Sequence, residues 1–393
     1  MIPYLLVFIL LLLMSFRYDI NEKKEYQNYA YLFVSVLLIL LAGLRYRLGV
    51  DTTAYMYGFY HTVPSLSNFF YDEEFLSEPI FYLLCSIIKT IGGKFYLVQL
   101  IHATFVCAML FNYFKKHSKY YFTCILFFYI WDFTSCLMET MRASMAVVIC
   151  LYGNDFFNEK KWVKGFFLYA LAFLCHNSSI LLLITPLFLF LRFNALGFIV
   201  IVTAVFVGKV VQNQLEDNFL LLGLNEEFSN KAVDYLNSDT YNKEHNIFYY
   251  IFNIGTYFFY LILSFVYIKY KNNKGLIFLQ PLVLLGLMFV CLRDNNEIFY
   301  RFVEFYIPYF IMYFVELFIG WCKDSTKLSV GIRISRSMVM FLPLFYFVMI
   351  RTSGYIRYFP YASVIERSIN TERETDYKKL RTDFSLIINE NEY

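Results

Sequence analysis

The chain has no glycine-rich phosphate loop, no dinucleotide-binding glycine pattern and no CxxC pair. The first two absences leave it without a recognisable soluble nucleotide-binding domain, which argues against an ATP-driven pump. The third leaves the eight cysteines (85, 107, 124, 136, 150, 175, 291 and 322) with neither zinc-ligand spacing nor a disulfide framework. Most of them lie inside apolar runs. No internal repeat and no low-complexity tract is present. Charge is also scarce: 17% of the 393 residues are Asp, Glu, Lys or Arg, against about 25% in soluble domains. Net charge is only +3, so the positions of the charges say more than their sum.

What is abundant is apolar and aromatic surface, with 59% of residues hydrophobic and 22% aromatic. The apolar residues fall in repeated runs of roughly the length a membrane helix needs, about 17–25 residues. The short alternating segments of a membrane β-barrel are absent from the pattern. The chain therefore reads as an all-α polytopic membrane protein. The opening run "IPYLLVFILLLLMSF" lacks a basic n-region and a small-residue cleavage site, so it is read as a helix and not a signal peptide.

About 12 transmembrane helices are predicted, near 2–16, 29–44, 95–114, 119–135, 138–155, 163–176, 177–191, 195–212, 247–268, 276–292, 302–321 and 337–353. The segment 79–94, "PIFYLLCSIIKTIGGK", is too short for an ordinary span and is read as a re-entrant or interfacial helix. Residues 1–356 form the transmembrane domain; 357–393 form a mixed-charge C-terminal tail with no assigned role.

Lys and Arg in short loops mark the cytoplasmic side. "RYDINEKKEYQN", "KKHSK", "NEKKWVKG", "KYKNNK" and "CKDSTKLSVGIRISR" are the basic loops. Placing them inside leaves 45–78, 132–138, a break at 176–177, 213–246, 293–301 and both termini outside. This topology requires two spans meeting near His176, where a single long helix would put "KYKNNK" on the wrong side.

Five arginines then collect at the outer face: Arg45, Arg47, Arg142, Arg293 and Arg301. Ionisable groups at membrane depth are costly and are read first as functional. Guanidinium keeps its charge and takes phosphate oxygens in a two-pronged grip. The competing readings are snorkelling to headgroups and pairing with nearby acids. For Arg142 the expected acid is Glu139, three residues earlier on one helical face. Glu297 and Arg301 share the i,i+4 spacing of a helical ion pair.

In "GVDTTAY", Asp51 reads either as the cap of a helix starting at Thr52 or as a carboxylate facing the cavity, with Tyr55 one turn on. "EPIFYLL" opens with Glu78 and Pro79, ordinary helix-start chemistry. "CHNSS" sets His176 in an otherwise apolar stretch with capping residues behind it. Such a break at membrane depth is tolerated where it is buried in protein or lines a wet cavity. The histidine there is either a base or a core residue satisfied by its neighbours.

These stretches in this order resemble the EpsG family, within the wider class of Wzy-like exopolysaccharide and O-antigen polymerases. Carrying the resemblance are Arg45 with Gly49, Asp51 and Tyr55, then "EPIFYLL", "GGKFYLVQLI", "METMRASMAVVI", "LAFLCHNSSILLLI" and "YRFVEFYIPYF". They run from about residue 40 to 320. The chain departs from the family's pattern at Ala143, where glutamine often follows the arginine, and at Ser179.

The resemblance implies a GT-C-like or Wzy-like helical bundle in the bacterial cytoplasmic membrane, with its active site on the outer face. It implies an oligosaccharide on polyprenyl pyrophosphate as substrate, no metal and no cofactor. A chain-length regulator and a flippase are candidate partners, alongside membrane lipid; nucleic acid is not. His176 is the expected base, with Asp51 second. Arg45, Arg47, Tyr55, Glu139, Arg142, Arg293 and Arg301 are the expected substrate-binding residues. A ligase is a close variant of the polymerase. A flippase is the alternative from another class, and would need cationic groups along a two-sided path.

Overall fold

A computed structural model describes residues 2–71, 73–218, 277–292, 297–324, 358 and 361–369. The described residues are helical, without a strand; one isolated antiparallel bridge joins Arg45 to Ser363. The chain divides into two compact units, Met1–Leu181 with Ser335–Tyr393, and Leu182–Ile334.

In the first unit α1 (Ile2–Met14) runs on into a π-helical turn, Ser15–Ile20, and α2 spans Gln27–Gly43. Helix α3 (Val50–Tyr57) continues as a second π turn, Gly58–Thr62. A short α4 (Glu73–Leu76) precedes α5 (Pro79–Thr90), α6 (Phe95–His117) and α7 (Tyr121–Trp131). A third π turn, Ser135–Glu139, leads into α8 (Met141–Asn158) and α9 (Trp162–Cys175).

Helix α6 lies at the centre and packs on α2, α5, α7 and α8. Its buried Val98, His102, Val106 and Leu110 recur every four residues, the spacing that keeps side chains on one helix face. Helices α8 and α9 pair closely through two glycines. A Cβ at Gly153 would stand 2.8 Å from the Tyr169 ring, and one at Gly165 2.5 Å from the Phe157 ring. Outward, α1 exposes Leu5, Leu6, Leu12 and Leu13, and α9 exposes Phe166 and Phe167. Apolar outer faces of this kind suit contact with lipid.

The second unit holds α10 (Thr185–Phe188), α11 (Ala195–Asn218), α12 (Gln280–Leu292) and α13 (Glu297–Asp324). Helix α12 is buried along its whole length and packs on α11 and α13. The Thr185 hydroxyl lies 2.9 Å from that of Tyr306.

The first six expected spans coincide with described helices to within about four residues. Among the described residues, two helices, Ile2–Ile20 and Phe95–His117, are long and apolar enough to cross a membrane by length and composition, and several further apolar helices run to 10–17 residues. Helix α5 has 12 residues, about 18 Å at 1.5 Å per residue, which is less than a hydrocarbon core of about 30 Å.

The span expected at 177–191 is different in kind. Helix α9 ends at Cys175, and the chain continues as a 3-10 run, Asn177–Ile184, and then the short α10. Pro186, with no N–H to donate, opens α10 instead of prolonging the run. Spans expected at 247–268 and 337–353 lie outside the described residues.

Part of the stretch read as an appended tail is built into the first unit. Tyr46 N–H donates to Ala362 O at 2.9 Å, Val364 N–H to Leu44 O at 2.9 Å, and Tyr361 Oη to Leu41 O at 3.0 Å. A short α14, Val364–Ile369, follows.

Candidate functional site

Three helix ends of the first unit bring the polar groups together. Glu78 precedes α5, and Pro79 takes the first helical position, where a missing N–H costs nothing. The Glu78 side chain does not cap its own helix. The residue is 5% exposed, and its carboxylate turns to the end of α9. Oε1 lies 2.8 Å from His176 Nδ1 and accepts the Asn177 N–H at 3.0 Å. Oε2 accepts from Arg142 Nη1.

Glu78 belongs to the 45–78 connection, which the sequence reading places between the expected spans. Burial alone would raise its carboxyl pKa. The His176 hydrogen bond, the Arg142 charge and the Asn177 amide outweigh burial and hold it down to about 2. The carboxylate is therefore ionised throughout the neutral range and acts only as an acceptor.

His176 closes α9 in an extended conformation, φ −159° and ψ 118°, so its ring leaves the helix at the break. Facing an ionised carboxylate, Nδ1 carries the proton and donates it to Glu78. The lone pair of the neutral imidazole is then on Nε2, which has no partner among the described residues.

Arg142 is the second residue of α8, where the helix dipole disfavours a cation. Glu78 supplies the compensating charge. Nη1 also donates to Tyr82 Oη at 3.2 Å, and Nε to Tyr55 Oη at 3.4 Å. The guanidinium carbon lies 5.5 Å from the Tyr55 ring centroid and 5.7 Å from that of Tyr82, within cation–π range. Nη2 has no partner among the described residues, and the side chain is 30% exposed. The site thus pairs a lone-pair nitrogen on one side of Glu78 with a cationic N–H edge on the other.

Arg45 has a different setting. It is 1% exposed, and it donates from Nη1 to Ala42 O at 2.6 Å and from Nη2 to Met138 O at 3.2 Å. Thr52 Oγ1 donates to the same Met138 carbonyl at 2.7 Å. Gly49, at φ +95°, lets α3 approach: a Cβ there would lie 2.8 Å from Met138 O. These contacts fix the start of α3 on the π turn that leads into α8. One turn further along α3, Tyr55 meets Arg142.

The structure therefore brings His176, Arg142 and Tyr55 together around Glu78 and Tyr82. Glu139 is not among the partners of Arg142. Thr140, at φ −87° and ψ 57°, separates the π turn from α8, so the two residues do not share one continuous helix. Asp51 lies exposed in the first turn of α3, whose N-cap is Gly49 and not Asp51. Arg47, at φ +48°, stacks its guanidinium 5.4 Å from the Tyr46 ring centroid. Arg293 lies outside the described residues. Arg301 sits on α13 in the second unit, its side chain outside the described residues.

Glu78 and Tyr82 were missed as site residues by sequence reasoning. Their signal was the i,i+4 placement of an acid and a tyrosine at the start of "EPIFYLL".

A sequence model of the EpsG family matches residues 28–363. No curated protein and no solved structure matches the chain.

Proposed function

The chain belongs to the EpsG family of membrane proteins, whose members are Wzy-like polysaccharide polymerases, and on that premise we propose the reaction its site carries out. The donor is a glycan chain on polyprenyl pyrophosphate, and the acceptor is a lipid-linked repeat unit at the outer face of the bacterial cytoplasmic membrane. His176 Nε2 takes the proton of an acceptor sugar hydroxyl. The hydroxyl oxygen attacks the anomeric carbon of the donor, and the bond from that carbon to the pyrophosphate oxygen breaks. The electron pair leaves with the polyprenyl pyrophosphate, whose growing negative charge is met by the Arg142 guanidinium.

The observation that carries this reading is the contact between Glu78 Oε1 and His176 Nδ1 at 2.8 Å. It sets the tautomer that leaves Nε2 able to accept a proton, and it holds the ring in one orientation, as an acid behind a histidine does in other general-base sites. Tyr55 and Tyr82 supply aromatic surface suited to a sugar face.

The test is incubation of the purified protein with a defined lipid-linked repeat unit, scored for longer products. His176→Gln keeps a hydrogen bond and much of the shape but takes no proton at neutral pH. Loss of elongation in this variant, with the protein still folded and donor still bound, supports the reading. Wild-type elongation by the glutamine variant overturns the base assignment, and Asp51 becomes the next residue to substitute.

A further inference from the structure

A cavity of about 330 Å³ in the first unit is left unused by the reaction above. Its size falls in the range of small-molecule sites, about 300–1,000 Å³. The walls are mainly aromatic: Tyr46, Tyr60, Phe95 and Tyr96 line it, together with Gln99. Arg45 forms part of the same wall. Its guanidinium also bonds Met138 O, on the turn that leads to Arg142, so one residue joins the cavity to the frame of the candidate site. Along α3, Tyr55 meets Arg142 while its neighbour Met56 meets the cavity.

Gln99 is the polar group that points to a ligand. It stands one turn into α6, in register with Phe95 and His102, and is 2% exposed. Its carboxamide has no hydrogen-bond partner among the described residues, and the little accessible surface it keeps includes the amide atoms. A buried amide without partners is unfavourable, and an apolar side chain of the same shape would avoid the penalty. The other buried polar groups of the wall are engaged. Arg45 donates to Ala42 O and Met138 O. Arg47 stacks on the Tyr46 ring, and Tyr60 Oη accepts the Phe95 N–H at 3.3 Å. What the wall offers a ligand is therefore a neutral amide, with two donors and an acceptor on one plane.

That chemistry fits a sugar ring. A pair of adjacent hydroxyls both donates and accepts, as the amide does, and the C–H face of a pyranose packs against aromatic rings. A lipid tail would fill the aromatic walls but leave the amide unpaired. We propose that the cavity is a sugar subsite, in which the Gln99 carboxamide holds a hydroxyl pair of one glycan ring between aromatic walls. The subsite selects among sugars, because a site built to hydrogen-bond a hydroxyl strongly rejects an analogue that lacks it. Assigning that ring to the lipid-linked repeat unit rests on the polymerase reading; the sugar class rests on the cavity.

The test uses the full chain in phosphatidylcholine nanodiscs, which avoid sugar-headed detergents. The probes are the methyl glycosides of glucose, galactose, mannose and N-acetylglucosamine, titrated by saturation-transfer NMR. Saturable binding of at least one by wild type is expected. Gln99→Met, close to glutamine in shape, is expected to weaken that binding by about tenfold or more, as loss of hydrogen bonds to a desolvated hydroxyl pair would. The unfolding midpoint without sugar is expected to stay unchanged or rise in this variant, because the amide bonds nothing in the fold. A lower midpoint would assign Gln99 to the fold and overturn the proposal. No saturable binding of any probe by wild type, or undiminished binding by Gln99→Met, also overturns it. Elongation of a defined lipid-linked repeat unit keeps the two readings apart. Gln99-dependent sugar binding in a protein that makes no polymer removes the polymerase reading and leaves the subsite standing. Elongation by Gln99→Met with wild-type kcat and KM removes the subsite and leaves the polymerase.

Discussion

Glu78→Gln separates the two jobs of the central carboxylate. Glutamine matches the shape, but its carbonyl can occupy only one of two places: that of Oε1, which His176 Nδ1 and the Asn177 N–H share in wild type, or that of Oε2, which accepts from Arg142. Its NH2 then faces either Arg142 or His176. Facing His176, it donates to Nδ1, and the ring proton moves to Nε2, the nitrogen that must accept. General-base catalysis contributes about 10²–10⁴-fold, or about 3–5 kcal/mol of barrier, and elongation is expected to fall by that factor. The change in stability is smaller. Arg142 loses its counter-charge, but its side chain is 30% exposed, so water screens part of the loss. About 1–3 kcal/mol is expected. The assay is single-turnover elongation at matched protein levels, with a thermal unfolding midpoint in detergent measured in parallel. A fall in stability with elongation kept within about threefold of wild type would refute the reasoning, because Glu78 would then be a structural counter-ion only.

Three other outcomes follow from the same geometry. Arg142→Lys should lower elongation nearly as far as Arg142→Ala, since an ammonium cannot span Glu78, Tyr55 and Tyr82 and still present a free edge; polymer yield at wild-type level would leave a simple charge role. Arg45→Ala should lower the unfolding midpoint by an amount corresponding to about 2–4 kcal/mol, from the bonds lost to Ala42 and Met138, whereas wild-type stability with lost activity would move Arg45 from scaffold to substrate contact. Because Glu78 is held down to about 2, its stabilising charge is complete above about pH 4.5 and is lost only as pH falls toward 2. A Glu78→Gln variant should therefore lose less stability than wild type as pH falls from about 4.5 toward 2, measured as the unfolding midpoint against pH; an acid dependence identical to wild type would show that the Glu78 charge does not stabilise the fold.

Much of the helical plan was legible because apolar runs and their breaks are local. The end of α9 at His176 could be read from "CHNSS", since a polar cluster in an apolar stretch has to interrupt the helix or face a cavity. Gly49 and the helix after it were legible for the same reason, although the cap is the glycine and not Asp51. The partner of Arg142 was not. Choosing Glu139 assumed an unbroken helix across Thr140, and the π turn at 135–139 removes that assumption. The true partner, Glu78, is 64 residues away, and nothing in local spacing links the two.

Arg45 illustrates the complementary error. An arginine at the end of an apolar run looks outward on charge alone, because burying it without partners costs more than any local pattern returns. The fold repays that cost with carbonyl oxygens at the end of α2 and on the 135–139 turn, both of which have acceptors to spare because helical bonding is interrupted there. Interrupted helix ends thus provide acceptors for cations and donors for anions. A separate interruption, at the end of α9, frees the Asn177 N–H to bond Glu78. The irregular backbone at 135–140 and at 176–177 is therefore what makes a buried arginine and a buried glutamate affordable within one unit. Substitutions that regularise either break, such as Thr140→Ala, act on the residue seated there through the backbone before they touch any side chain of the site.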